Sequence, residues 1–155
     1  MPLQIGALAP DFELVDQHGR AVGLATLRAE KPVVLVFFPL AFSRTCEGEL
    51  AALRDARSLF EGAGVHLVGV SVDSKFALRA WSEEQGYEFP LLADFWPHGE
   101  VARAYDVFLE ERGHAARATF VIDESGVVRA AFATGPGEPR SIEQYREALE
   151  LLRAG

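Results

Sequence analysis

A run of six bulky apolar residues that ends at a proline constrains this chain more than any other feature of its sequence. Residues 33–38, Val-Val-Leu-Val-Phe-Phe, are typical of a strand buried on both faces, inside a parallel or mixed sheet covered by helices. Pro39 ends the strand. Apolar residues then recur at helical spacing over 50–60, before Gly62 and Gly64. This stretch therefore predicts a strand, a short loop and an amphipathic helix.

Cys46, the single cysteine of the chain, lies where this loop meets the helix. With Ser43 as the N-cap residue, its hydroxyl is expected to accept a backbone N–H, and Cys46 is the third helical residue. The unpaired N–H groups and the positive end of the helix dipole stabilise a thiolate there. Glu49 falls on the apolar stripe and needs a cationic partner, because an unpaired buried carboxylate is costly. An arginine from elsewhere could serve both Cys46 and Glu49.

Composition narrows the class of protein. A length of 155 residues fits one domain, 1–155, and a net charge of −8 argues against nucleic acid or an anionic membrane as a partner. The longest apolar run, 33–42, is too short to span a bilayer, and the N-terminus lacks the basic start of a signal peptide. One cysteine makes no internal disulfide and no cysteine zinc site. We expect a cytoplasmic protein without a cofactor.

A short motif indicates that Cys46 has a chemical role. A lone cysteine is often only a small buried hydrophobe, but here it completes the pattern P-x-x-x-[ST]-x-x-C at Pro39, Ser43 and Cys46. This pattern resembles the signature of the peroxiredoxins, with Ser in place of the commoner Thr. Residues 39–42, 46–50 and 91–99 are most similar to the one-cysteine AhpE group of that family. The resemblance extends from about Leu8 to Leu152.

The resemblance and the hydrophobic pattern indicate the same fold. They predict an α/β protein of the thioredoxin-like class, in which helices flank a mixed β-sheet that carries an N-terminal β-hairpin over residues 9–24. The apolar run 65–72 predicts a second core strand, parallel to the first, and ligands in such folds collect at the carboxyl ends of the strands. The other predicted elements are a polar connector at 27–32, helices at 75–85, near 100–104 and after Ser141, and strands near 89–92 and at 107–110, 117–123 and 127–134.

The resemblance also implies a mechanism. Arg117 opens the segment R-x-T-F-[VL]-[IV]-D and matches the arginine that reaches the reactive cysteine in peroxiredoxins. The Cys46 thiolate would attack a hydroperoxide and become a sulfenic acid. The remaining roles fall to six residues: Arg117 and the Ser43 hydroxyl stabilise the departing oxygen, Pro39 shields the thiolate, Glu49 orients Arg117, and Leu40 and Phe42 contact the substrate.

The oxidised Cys46 must be reduced by another route than in two-cysteine relatives. One group of these relatives carries a second cysteine at position 51, where this chain has Ala51. An external thiol is expected to reduce the sulfenic acid: a low-molecular-weight thiol with a mycoredoxin-like or glutaredoxin-like protein, or thioredoxin. The resemblance implies a homodimer, with Phe42, Phe95 and Trp96 as hypothetical interface residues. Three alternatives remain open: a peroxide sensor or chaperone that passes oxidation to a protein partner, a Cys–His hydrolase, and a structural module.

Overall fold

A mixed seven-stranded sheet forms the centre of the molecule. The structure, a computed structural model, describes residues 3–154. Within them the strands are β1 (Glu13–Val15), β2 (Ala21–Gly23), β3 (Val33–Phe37), β4 (His66–Ser71), β5 (Leu91–Ala93), β6 (Phe108–Leu109), β7 (His114–Ala115), β8 (Arg117–Ile122) and β9 (Val128–Thr134). The helices are α1 (Leu24–Glu30), α2 (Arg44–Asp55), α3 (Arg57–Ala63), α4 (Lys75–Gln85), α5 (Glu100–Ala104) and α6 (Ile142–Ala154).

The strand order confirms the predicted fold class. The sheet runs β2-β1-β5-β4-β3-β8-β9, and β6 pairs with β7 in a separate ribbon. Strands β3, β4 and β5 are parallel to one another, whereas β8 and β9 are antiparallel additions on one side. The hairpin of β1 and β2 joins the sheet through β5 on the other side, as an N-terminal β-hairpin should.

The apolar run is explained by the central place of β3. Residues 34, 36 and 38 face one core cluster, which includes α2, α4 and α6, while residues 33, 35 and 37 face a second cluster, which includes α1 and α5. Helices cover both faces of the sheet, so every side chain of β3 is buried and the alternation of a one-sided strand is lost.

Two segments differ from the sequence prediction. Residues 27–32, expected to be a polar connector, belong largely to α1, whose seven residues are too few to show a clear helical period. The helix that begins near Cys46 is divided at Ala56, where φ is −98° and ψ is 19°, into α2 and α3. Alanine favours a helix, so no local signal marks this break.

The caps of α4 and α6 follow the sequence closely. The Ser74 hydroxyl accepts from the Ala77 N–H at 3.2 Å at the start of α4, and Gly86 ends that helix in the left-handed conformation. Ser141 and Gln144 form the expected capping box of α6, at 3.2 and 2.9 Å. Within residues 3–154, no helix is long and apolar enough to cross a membrane.

Candidate active site

The candidate site lies at the carboxyl end of β3, where three separate parts of the chain meet. The segment 39–43 links β3 to α2, and Cys46 occupies the third position of that helix. Strand β8 runs antiparallel to β3, with Ala118 opposite Phe37. Arg117, the first residue of β8, is therefore placed beside the end of β3 and the start of α2.

A single guanidinium nitrogen contacts both the thiol and the buried acid. Arg117 Nη1 lies 3.2 Å from Cys46 Sγ and donates to Glu49 Oε1 at 2.7 Å. The Cys46 side chain is fully buried, and Glu49 and Arg117 are 4% and 7% exposed. The structure thus brings together the thiol, the acid and the arginine that the sequence singled out.

Ser43 departs from its expected role as a side-chain cap. Its carbonyl accepts from the Glu47 N–H at 2.9 Å, as the N-cap position requires, but its hydroxyl caps no backbone N–H of α2. Ser43 Oγ and Arg117 Nε are both buried and have no hydrogen-bond partner among residues 3–154. An unsatisfied buried polar atom costs about 1–3 kcal/mol, so a bound molecule that paired with both atoms would gain from that contact.

Ser43 and Arg117 line a cavity of about 340 Å³, whereas the fully buried Cys46 does not line it. Pro39 and Leu40, predicted as a shielding residue and a substrate contact, contribute to its wall. Phe42 is half exposed, and its ring packs 6.1 Å from that of Trp81 instead of lining the cavity. Further lining residues come from the β6–β7 ribbon, from the end of β9 and from the loop after it: Leu109, Arg112, His114, Thr134 and Pro136.

Arg140 is a member of the site that the sequence reasoning missed. Its backbone N–H and Nε donate to Glu49 Oε2 at 2.7 and 2.9 Å, and its Nη2 donates to Glu49 Oε1 at 3.1 Å. Its Nη1 donates to the Thr119 hydroxyl, which lies 3.1 Å from the Tyr145 hydroxyl. One signal could have found it: a buried carboxylate has two oxygens, and one arginine leaves part of their hydrogen-bonding capacity unused.

The buried network around Glu49 carries more positive than negative charge. Burial acts to raise the pKa of Glu49, but the hydrogen bonds and charge of Arg140, with help from Arg117, outweigh it and hold that pKa below its ordinary 4.5. The network then contains two guanidinium cations and one carboxylate, a net charge of +1 in a region shielded from water. The site therefore presents a cationic guanidinium to the Cys46 sulfur, at 3.2 Å.

Comparison with known proteins agrees with this chemistry. The AhpC/TSA family profile matches residues 5–131. Alkyl hydroperoxide reductase E from Mycobacterium tuberculosis is 47% identical over 152 residues, which cover 98% of this chain and 99% of the relative. The crystal structure of peroxidoxin BcpB from the same organism matches with a TM-score of 0.86 at 32% identity, over 98% of this chain and 97% of that one. AhpC from Enterococcus faecalis matches with a TM-score of 0.88 at 28% identity, over 99% and 94%.

Fold, thiol site and relatives together define a thiol-dependent peroxidase. The chain belongs to the AhpC/TSA family, the peroxiredoxins, and its single cysteine fits the one-cysteine mechanism. The resemblance to the AhpE group, which the sequence indicated at residues 39–42, 46–50 and 91–99, is confirmed.

Proposed function

We propose that this enzyme reduces hydrogen peroxide and organic hydroperoxides at Cys46, and that an external thiol restores the cysteine. The observation that supports the proposal most directly is that Ser43 and Arg117 each hold a buried, unpaired donor and line one cavity, while Arg117 also contacts the Cys46 sulfur. The cavity has room for more than hydrogen peroxide, and the apolar side chains of Leu40 and Leu109 suit an organic group. The alkyl hydroperoxide reductase name of the relative supports the same substrate class.

In the proposed step the Cys46 thiolate attacks the terminal oxygen of the hydroperoxide in line with the O–O bond. A sulfur–oxygen bond forms, the O–O bond breaks, and its electron pair leaves with the other oxygen. That oxygen takes a proton from water and departs as water or an alcohol, while Cys46 becomes a sulfenic acid. Arg117 and the Ser43 hydroxyl donate to the developing negative charge, and Glu49 holds the guanidinium in place.

The return half of the cycle needs two equivalents of thiol. The first condenses with the sulfenic acid to give a mixed disulfide and water, and the second releases the Cys46 thiol and a disulfide of the reductant. The proposed reductants are a low-molecular-weight thiol with a mycoredoxin-like or glutaredoxin-like protein, or thioredoxin. A constant supply of reduced thiol suits a cytoplasmic location, which is part of the proposal.

We also propose that residues 1–155 form one domain, which the seven-stranded sheet supports.

The test is the reaction of reduced protein with one equivalent of hydrogen peroxide at neutral pH, followed by tryptophan fluorescence. Trp81 packs against Phe42, so oxidation at the neighbouring helix should change its emission. We expect a reaction orders of magnitude faster than that of free cysteine, and a product that dimedone traps as a sulfenic acid on Cys46. Cys46→Ser is the control and should be inert. A wild-type protein that reacts no faster than free cysteine, with hydrogen peroxide and with an organic hydroperoxide, would contradict the proposal.

A homodimer is also proposed. Phe42, Phe95 and Trp96 are 48%, 52% and 81% exposed. They follow β3 and β5, strands parallel to β4 between them, so all three lie at the same edge of the sheet. Exposed aromatic side chains concentrated in one region are typical of an interface.

Replacing Phe95 and Trp96 together by alanine is expected to weaken self-association, measured by sedimentation velocity over a range of concentrations, because large aromatic side chains dominate interface energetics. Leu151→Ala is the control, since this side chain is as exposed as Phe95 but lies near the end of α6. Unchanged association of the double variant would remove these residues from the interface.

A further inference from the structure

The segment between β3 and α2 positions three residues of the site but has few internal bonds of its own. Pro39, Leu40 and Ser43 all line the cavity. The internal hydrogen bond from the Ser43 N–H to the Leu40 carbonyl is 3.4 Å long, beyond the usual range. Phe42 has φ +67°, a left-handed conformation that is unfavourable for a bulky residue. Such a conformation persists only where the surroundings hold it.

Asp73 supplies a contact that holds this segment from outside. It lies just beyond β4, and its Oδ2 accepts from the Ala41 N–H at 2.8 Å. The same oxygen accepts from the buried Ser71 hydroxyl at 2.6 Å, and the Ser71 Oγ accepts in turn from the Asp73 N–H at 3.3 Å. Ser71, the last residue of β4, thus holds the Asp73 carboxylate in the position from which it contacts the segment 39–43. A hydrogen bond to an ionised carboxylate is about twice as strong as one between neutral groups.

We propose that Asp73 is a positioning residue for the peroxidase reaction, which it serves by holding the Ala41 N–H and thereby the segment 39–43 over Cys46. The inference rests on the proposed function. Asp73 makes no contact with Cys46 or Arg117, and its effect passes through Ala41 to the strained Phe42 and on to the Ser43 hydroxyl. Without the carboxylate, Phe42 is free to return to an ordinary φ. The Ser43 hydroxyl then leaves its place beside the cavity, and the fully buried thiol becomes accessible.

The experiment compares three variants by two readouts that should move in opposite directions. Asp73→Ala is expected to slow oxidation of Cys46 by hydrogen peroxide about 10- to 100-fold, as a small misplacement of reacting groups does. The same variant should be alkylated faster by iodoacetamide, because that reaction needs an accessible thiolate but no donor for a departing oxygen. Asp73→Asn keeps an acceptor for the Ala41 N–H and should recover most of the wild-type behaviour in both readouts.

Ser74→Ala is the matched control. It removes the N-cap of α4 at the neighbouring residue, and so loosens the same junction without touching Ala41. It should leave oxidation and alkylation at wild-type rates, with folding of all variants verified by circular dichroism. Wild-type rates in Asp73→Ala, or equal changes in Ser74→Ala, would overturn the inference while the proposed function stands. A wild-type protein inert to peroxide would overturn the proposed function, and the inference with it.

Discussion

Arg117→Ala is expected to slow the oxidation of Cys46 by hydrogen peroxide by about 10²- to 10³-fold, the cost of removing one donor aimed at a developing negative charge. Two effects combine in this loss. Nη1, which lies 3.2 Å from the sulfur, stabilises the thiolate, and the unpaired Nε is a donor available to the departing oxygen. The Cys46→Ser variant gives the background rate. Stopped-flow tryptophan fluorescence on reduced protein gives the rate constants.

Arg112→Ala is the matched control, because Arg112 lines the same cavity but is exposed at its rim. It should retain nearly the wild-type rate. Arg117→Lys separates charge from geometry: an ammonium group can still pair with Glu49, but it cannot present a second donor in the position of Nε. We expect an intermediate rate for this variant. If Arg117→Ala and Arg112→Ala lose the same small factor, Arg117 acts only through the general charge of the cavity, and its proposed catalytic role is wrong.

The strand and helix that present Cys46 were predictable from local sequence patterns. The apolar run of β3, Pro39 after it and the spacing of residues 50–60 all describe neighbours in sequence, and such neighbours remain neighbours in the fold. The caps at Ser74 and Ser141 were predictable for the same reason, since a cap is a contact across three residues. Arg117 was found through its motif, and the pairing of β8 with β3 explains how the first residue of that motif comes to lie beside Cys46.

What the sequence did not show depends on contacts between distant parts of the chain. The Ser43 hydroxyl was expected to cap α2, yet it stands free beside a cavity that β8 and the loop after β9 help to enclose. The Arg140 contact to Glu49 spans 91 residues, and no spacing rule links a loop arginine to a helix acid at that distance. Nor could periodicity locate the break at Ala56, where the backbone leaves the helix at a helix-favouring residue.

Glu49→Gln is expected to lower the free energy of unfolding by about 3–5 kcal/mol at neutral pH, the cost of breaking a buried ion pair from one side. The carboxylate accepts four hydrogen bonds, one from Arg117 and three from Arg140. The amide cannot neutralise either cation, so two guanidinium groups are left in a buried region without a carboxylate between them. Urea unfolding, followed by far-UV circular dichroism, measures the difference. Glu61→Gln makes the same chemical change in an exposed ion pair and should cost less than about 1 kcal/mol.

The pH dependence of this difference tests its electrostatic origin. The pKa of Glu49 is lower in the folded protein than its ordinary 4.5, so the folded state binds its proton less readily than the unfolded chain does. The stabilisation is therefore complete above pH 4.5 and is lost as the pH falls towards the lower, folded-state pKa. We expect the unfolding free energies of wild type and Glu49→Gln to converge below pH 4.5, because a protonated Glu49 resembles the amide. A difference that stays constant through this range would assign the loss to packing rather than to charge.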